Sequence, residues 1–380
     1  MSKSGALHDL EPSPSDAISS IAFSPTSTRL LACSWDGHIY IYTRQQDGAD
    51  TPFTLLRTLN VEAPVLSACW GNTDNTIFAS TLEGEVLQYD LATPPEQEAE
   101  TDQQPQHDPH VLSEHTQGAN KLAFSHPHNI LLSTSWDGTL HVHSPTTHEH
   151  FRLQLAAKPF ALSLSPTRAV VAMAERKVSV YVLDDLQKLL SQSSSTSASQ
   201  DALDAKPREQ RTSNLKFMAR DLACHPDGSG FATSSIEGRV SVEYFDGERD
   251  QEKYAFKCHR QTSTRESADA EAEAEKVDIV YPVNALAFHP TFGTFATGGG
   301  DGAVAIWDAN SKRRVKQYKE LGASVAALDF SGDGKFLAMG VCPGFEDGME
   351  AEEVRPEECR IVVRQLGENE AKGGAKKSKA

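Results

Sequence analysis

A short pattern of apolar and small residues recurs along the chain, each time running straight into a turn. Its copies are IAFSP (21–25), ACWGN (68–72), LAFSHP (122–127), LSLSP (162–166), LACHP (222–226), LAFHP (286–290) and LDFSG (328–332). A second pattern follows each of the first six: an acidic residue and glycine, then an apolar run, in DGHIYIY, EGEVLQY, DGTLHVH, EGRVSVEY and DGAVAIW. ERKVSVY is a degenerate copy without the glycine. The interval from first to second pattern is 15 positions five times (Ile21 to Asp36, Ala68 to Glu83, Leu122 to Asp137, Leu222 to Glu237, Leu286 to Asp301) and 13 once, from Leu162 to Glu175. Such spacing predicts strand, turn, strand, Asp-Gly or Glu-Gly hairpin and strand, with glycine supplying the positive φ the hairpin needs. Apolar residues fall on both faces of the last strand (Ile39 and Ile41, but also Tyr40 and Tyr42), as in a small sheet covered on two sides. Seven units arranged radially meet that demand. The last copy lacks a partner for its outer strand, so residues of about 5–16 are expected to close the ring.

The fullest copy, GGDGAVAIWD (299–308), resembles the WD-repeat signature, with Trp307-Asp308 at its end. The expected fold is therefore all-β: a seven-bladed WD-repeat β-propeller, closed by an N-terminal strand and spanning 1–366 as a single domain. Insertions near 93–110, 191–213 and 261–280 are Pro/Gln-rich, Ser-rich and charged in turn, and read as solvated loops. The basic tail 367–380 is expected to be disordered.

Composition narrows the functional classes. The chain has 380 residues, 38% hydrophobic, with a net charge of -17. That charge argues against direct nucleic-acid binding or docking on an acidic membrane, since both need a basic surface. The sequence has no apolar run of about 18 residues to span a bilayer, and the start MSKSGALHDLEPSPSD has no apolar signal centre. A soluble intracellular protein is expected. Six scattered cysteines without a CxxC pair point to reduced thiols, with neither disulfide nor metal. No GxSxG, phosphate loop or HExxH is present, so the chain reads as no enzyme and as needing no cofactor. His141, His143, His148 and His150 in HVHSPTTHEH invite a metal reading. However, His143 stands five after the turn glycine, in the slot filled by Tyr42, Tyr89 and Trp307, so packed or exposed histidines are expected.

The binding candidates lie elsewhere. Trp35 and Trp136 each stand two before a turn glycine, in SWDGHIYIY and SWDGTLHVH, on the rim where second strands turn into third strands. A large aromatic there suits a protein interface; alternatively, each indole folds over a neighbouring loop. Arg220 in MARDLACHP and Arg239 in IEGRVSVEY belong to the same rim of the fifth unit, with Lys216 nearby. Two guanidinium groups there suit carboxylates or phosphate; alternatively, they pair with Glu237 or Asp221.

The stretch from Asn214 to Asp308, with NLKFMARDLACHPDG, SSIEGRVSVEYFD, YAFKCHR and YPVNALAFHPTFGTFATGGGDGAVAIWD, resembles the spindle-checkpoint WD-repeat family of the budding-uninhibited-by-benzimidazole group. The related nuclear-pore RNA-export WD-repeat factor shares FKCHR and EGRV. The resemblance implies a non-enzymatic checkpoint adaptor in the nucleus and at mitotic kinetochores, a monomeric propeller working in hetero-complexes. It would bind a Glu-rich segment of the checkpoint kinase and its related scaffold, together with phosphorylated Met-Glu-Leu-Thr repeats. Trp35 and Trp136 would meet the Glu-rich segment, with Lys216, Arg220 and Arg239 as basic contacts, and Arg220 and Arg239 would hold phosphothreonine. The alternative is an mRNA-export factor holding a nucleoporin segment.

Overall fold

The computed structural model describes residues 5–46, 51–92, 108–193, 206–265, 275–319, 321–344 and 358–374. Seven antiparallel four-stranded sheets follow one another as blades. From inner to outer strand, blade one is Ile18–Phe23, Arg29–Ser34, His38–Arg44 and Phe53–Asn60; blade two is Val65–Trp70, Thr76–Thr81, Glu85–Asp90 and His110–Glu114. Blade three is Ala119–Ser125, Ile130–Ser135, Thr139–His143 and His150–Gln154; blade four is Pro159–Leu164, Arg168–Met173, Lys177–Val182 and Glu209–Thr212. Blade five is Ala219–Cys224, Gly230–Ser235, Arg239–Tyr244 and Tyr254–Lys257; blade six is Val283–Phe288, Thr294–Gly299, Val304–Asp308 and Arg313–Tyr318. Blade seven takes Ser324–Phe330, Phe336–Cys342 and Arg360–Gln365 from the C-terminal end and Leu7–Leu10 from the N-terminal end. That last strand runs antiparallel to its neighbour, from Leu7 opposite Arg364 to Leu10 opposite Ile361, so ring closure uses a shorter stretch than 5–16.

The repeated triplets end the innermost strands, and adjacent blades are stitched there by side chains reaching across to a neighbour's backbone. Ser20 Oγ accepts from Ala68 N (3.0 Å), Ser67 Oγ from Leu122 N (3.1 Å), Ser163 Oγ from Cys224 N (3.0 Å) and Asp221 Oδ2 from Leu286 N (2.8 Å). At the closure seam Asp329 Oδ2 accepts from Phe23 N at 2.7 Å, and burial pushes its carboxyl up to about 7. The blade faces between these stitches are apolar and buried, with Leu30, Leu31, Ile39, Ile41, Phe78 and Phe295 among the fully enclosed side chains. Each such side chain contributes roughly 1.5–3 kcal/mol.

The hairpin glycines behave as their spacing predicts: Gly37 has φ +80° and Gly238 φ +60°. In the degenerate copy, Glu175 and Arg176 adopt φ 60° and 62° themselves, so this turn accepts a strain that glycine would avoid.

Several expectations about the insertions need correction. The Ser-rich region begins after a helix, Leu183–Ser193, whose Leu183, Leu186 and Leu190 pack into the core shared with blade three. It ends in Glu209–Thr212, which pairs with Lys177–Val180 as the outer strand of blade four. Within 261–280 the chain forms a two-stranded ribbon, Arg260–Arg265 against Glu275–Val280. The tail is packed beyond 366: Glu370 Oε1 pairs with Arg364 Nη2 at 2.6 Å, and the buried Ala371 accepts through its carbonyl from Thr294 Oγ1 at 2.7 Å. The remainder of the insertions (93–107, 194–205, 266–274) and 375–380 lie outside the described residues. No described helix is long and apolar enough to cross a membrane.

Candidate functional site

In each of the first six blades, the residue after the second strand donates its N–H to a carbonyl just before the first strand. The pairs are Trp35 to Ala17 (2.9 Å), Leu82 to Pro64 (2.9 Å), Trp136 to Gly118 (3.1 Å), Ala174 to Lys158 (2.8 Å), Ile236 to Met218 (3.2 Å) and Gly300 to Pro282 (3.0 Å). These residues therefore occupy one structural position on one rim. The connections from each outer strand to the next inner strand run along the same rim, as antiparallel four-stranded blades require.

The two tryptophans differ in their surroundings. Trp35 is 41% exposed. Trp136 is half-buried, lying so close over Gly118 that a Cβ there would meet its Cε3 at 3.0 Å, while Lys158 Nζ stands 5.2 Å from its ring centre. Of the alternatives drawn from sequence, Trp35 follows the open one and Trp136 is partly laid over its own loop.

Arg220 and Arg239 come from the first and third strands of blade five. Arg239 Nε lies 3.1 Å from Glu237 Oε2, so the local acidic partner foreseen for it is present. Arg220 acts on Asp221 through its charge but forms no ion pair with it. Its Nε donates to Asn284 Oδ1 of blade six at 3.1 Å, and Asp221 faces Lys121 Nζ of blade three at 3.9 Å. Burial raises the Asp221 carboxyl, opposed by Lys121 and by its backbone donors. Lys216 is exposed. The blade-five group and the two tryptophans thus share a rim but stand on separate blades.

The structure also reveals members that sequence reading missed. Nine large apolar side chains are exposed among the described residues: Leu7, Leu56 and Val111 on outer strands, and Trp35, Phe217, Met218, Ile236, Val277 and Ile279 on this rim or the ribbon rising from it. Ile236 fills the turn position of Trp35 and Trp136, two before the glycine, so the register that singled out the tryptophans already contained it. Arg260, at the ribbon's base, donates through Nη2 to the Glu237 carbonyl at 2.9 Å and lies 3.5 Å from its carboxylate. The EGRV glycine is needed here: a Cβ on Gly238 would meet Cys258 O at 2.7 Å and Tyr281 O at 3.0 Å, the two ends from which the ribbon departs. Among the described residues no three His, Cys, Asp or Glu side chains converge to hold a metal ion.

Comparison with known proteins agrees with the propeller fold. The chain matches the "WD domain, G-beta repeat" family at residues 6–43, 107–144 and 280–308. It is 34% identical to "Mitotic checkpoint protein BUB3.1" of Arabidopsis thaliana over 97% of this chain and 95% of that protein. It is 30% identical to "Mitotic checkpoint protein bub3" of Dictyostelium discoideum, over 90% of this chain and 91% of the relative. It is 28% identical to the "Poly(A)+ RNA export protein" of Schizosaccharomyces pombe, over 88% and 84%.

Proposed function

This chain belongs to the Bub3 family of WD40-repeat propellers, and on that premise we propose that it is a non-enzymatic scaffold of the mitotic spindle checkpoint. Its rim binds a Glu-rich segment of the checkpoint kinase and related scaffold, and phosphorylated Met-Glu-Leu-Thr repeats of the kinetochore. The protein then works in the nucleus and at kinetochores, as a single propeller within hetero-complexes. One observation carries this reading: on an acidic chain of net charge -17, exposed apolar side chains gather on the same rim as Lys216, Arg220, Arg239 and Arg260. A rim that is both apolar and locally basic fits a partner strand carrying carboxylates and large side chains.

Trp35 is the anchor, because an exposed indole loses the most water on capture. Trp136 supplies a flatter wall, and Lys216 adds a positive charge at the blade-five end. Arg220 and Arg239 read phosphothreonine, whose charge of about -2 competes with Glu237 for Arg239. Titration of the purified protein with the Glu-rich peptide, and with Met-Glu-Leu-Thr peptides with and without phosphate, tests the proposal. Trp35→Ala should weaken the Glu-rich peptide by about 2 kcal/mol. Arg220→Ala with Arg239→Ala should abolish the preference for phosphate and leave the thermal midpoint unchanged. Equal binding of both Met-Glu-Leu-Thr peptides by the unaltered protein would end the checkpoint reading. Preference for a nucleoporin segment over the Glu-rich peptide would favour mRNA export, the role named for the 28%-identical relative.

A further inference from the structure

We propose that Cys342 and Cys359 form a reversible disulfide that locks the closing blade, a redox-dependent clamp on the ring seam. The second and third strands of blade seven pair in unbroken register from Phe336 opposite Gln365 to Val341 opposite Arg360. Extending that register by one rung, just past its last paired residues, brings Cys342 across from Cys359. Directly opposed residues of an antiparallel pair hold their Cβ atoms about 4.5–5.5 Å apart, a separation from which a small backbone adjustment reaches disulfide geometry. Both side chains are buried in one cluster with Leu10 and Ile18, so they face the same side of the sheet at the junction of blades seven and one.

The position gives the bond its consequence. Arg360–Gln365 carries the N-terminal strand Leu7–Leu10 on its other edge, so the ring closes through this strand. Tying Cys359 to Cys342 fastens the closing pair to the rest of blade seven beside that junction. Cys33 and Cys69 also stand near enough to interact, but on two different blades rather than on facing strands of one sheet: Cys33 lies in the second strand of blade one, held by Ser19 and Ser20, and Cys69 in the first strand of blade two. They serve as internal controls. Burial pushes the Cys359 thiol up to about 12, with Cys342 contributing to the rise, so reaction requires the seam to fray first. Once formed, the bond is shielded.

Oxidised glutathione supplies the chemistry. A thiolate of the pair attacks one glutathione sulfur, forming a mixed disulfide and expelling one glutathione thiolate. The second cysteine thiolate then displaces the other glutathione. The pair loses two protons and two electrons, and two reduced glutathione molecules carry them away.

The experiment equilibrates the full chain in glutathione buffers of graded potential, quenches with an alkylating agent under denaturing conditions, and maps peptides by mass. The expected result is loss of two hydrogens confined to Cys342 and Cys359, with alkylation of the other four cysteines unchanged. The thermal midpoint should rise on oxidation, and Cys359→Ala and Cys342→Ser should each lose that rise. Full alkylation of both cysteines at the most oxidising potential overturns the clamp, as does pairing with any other cysteine. The mass map uses the unaltered protein, so the test stands even if a variant folds poorly.

Discussion

Blades three and six build the same four-membered polar chain and finish it differently. In blade six, Asp301 Oδ1 lies 2.7 Å from His259 Nδ1, His259 Nε2 lies 2.8 Å from Thr297 Oγ1, and Trp307 Nε1 donates to that hydroxyl at 3.0 Å. Every polar atom has a complementary role when the imidazole carries its proton on Nδ1. In blade three the corresponding members are Asp137, His115, Ser133 and His143. His115 Nε2 and His143 Nε2 reach Ser133 Oγ at 2.8 and 2.9 Å, but Thr139 stands where blade six has Ala303. Its hydroxyl takes His115 Nδ1 at 3.0 Å and leaves the Asp137 carboxylate 3.4 Å away.

The last member matters most. Tryptophan has one polar atom, a donor, so burying it leaves nothing unpaired. Histidine has two, and His143 Nδ1 is buried without a hydrogen-bond partner, as is His141 Nε2 beside it. His115 stacks on His141 with ring centres 3.7 Å apart, and His150 lies within 5.6 Å of both His141 and His143. Burial drives the His115 imidazole down to about 4 and His141 to about 2, each further lowered by neighbouring histidines and Arg152 and partly opposed by Asp137; it holds His143 well below its ordinary value. The equivalent positions His143 and Trp307 thus share a topology, yet only the histidine carries a group that acid can charge.

The largest expected effect separates the blades by pH. Groups whose folded pKa lies below the unfolded value of 6.5 contribute stability that is complete above that pH and drains away as pH falls below it. Together, His115, His141 and His143 should cost several kcal/mol of stability between pH 6.5 and 5. Urea midpoints across that range should fall steeply, and a flat profile would erase the distinction between the blades. Next in size is Thr297→Val in blade six, which leaves His259 Nε2 and Trp307 Nε1 facing an apolar group. Two orphaned buried groups should cost about 3 kcal/mol at neutral pH, with the urea m-value unchanged. The smallest is His143→Gln, whose amide keeps a polar atom near Ser133 but does not titrate. It should change neutral stability by about 1 kcal/mol or less and make the acid profile shallower by one histidine. His126, His148, His150, His225 and His289, also lowered by burial, remain as common background. An acid profile identical to that of the unaltered protein would show that folding does not shift the titration of His143.

The repeat was readable because its determinants are local. Triplet, turn glycine and constant interval together specify four strands per blade and place Trp35, Trp136, Arg220 and Arg239 on one rim. The helix Leu183–Ser193 was equally local, since its leucines recur at helical spacing in LDDLQKLL. Phe217 and Met218 were harder to see, because apolar residues before a strand ordinarily turn inward and nothing in NLKFMARD distinguishes those that do not.

Seven-fold repetition and the rim bearing the binding candidates follow from short-range alternation and turn chemistry, and the closing N-terminal strand follows from counting the units, since the last one lacks an outer partner. The choice of partner at each polar or aromatic group does not. Glu237 against Arg239, Lys121 across to Asp221, Trp136 over Gly118 and Cys342 with Cys359 in one buried cluster depend on which strands the closed ring makes adjacent. Electrostatic and packing energies fall off within a few ångströms, and separation along the chain carries no information about that distance until the blades have met.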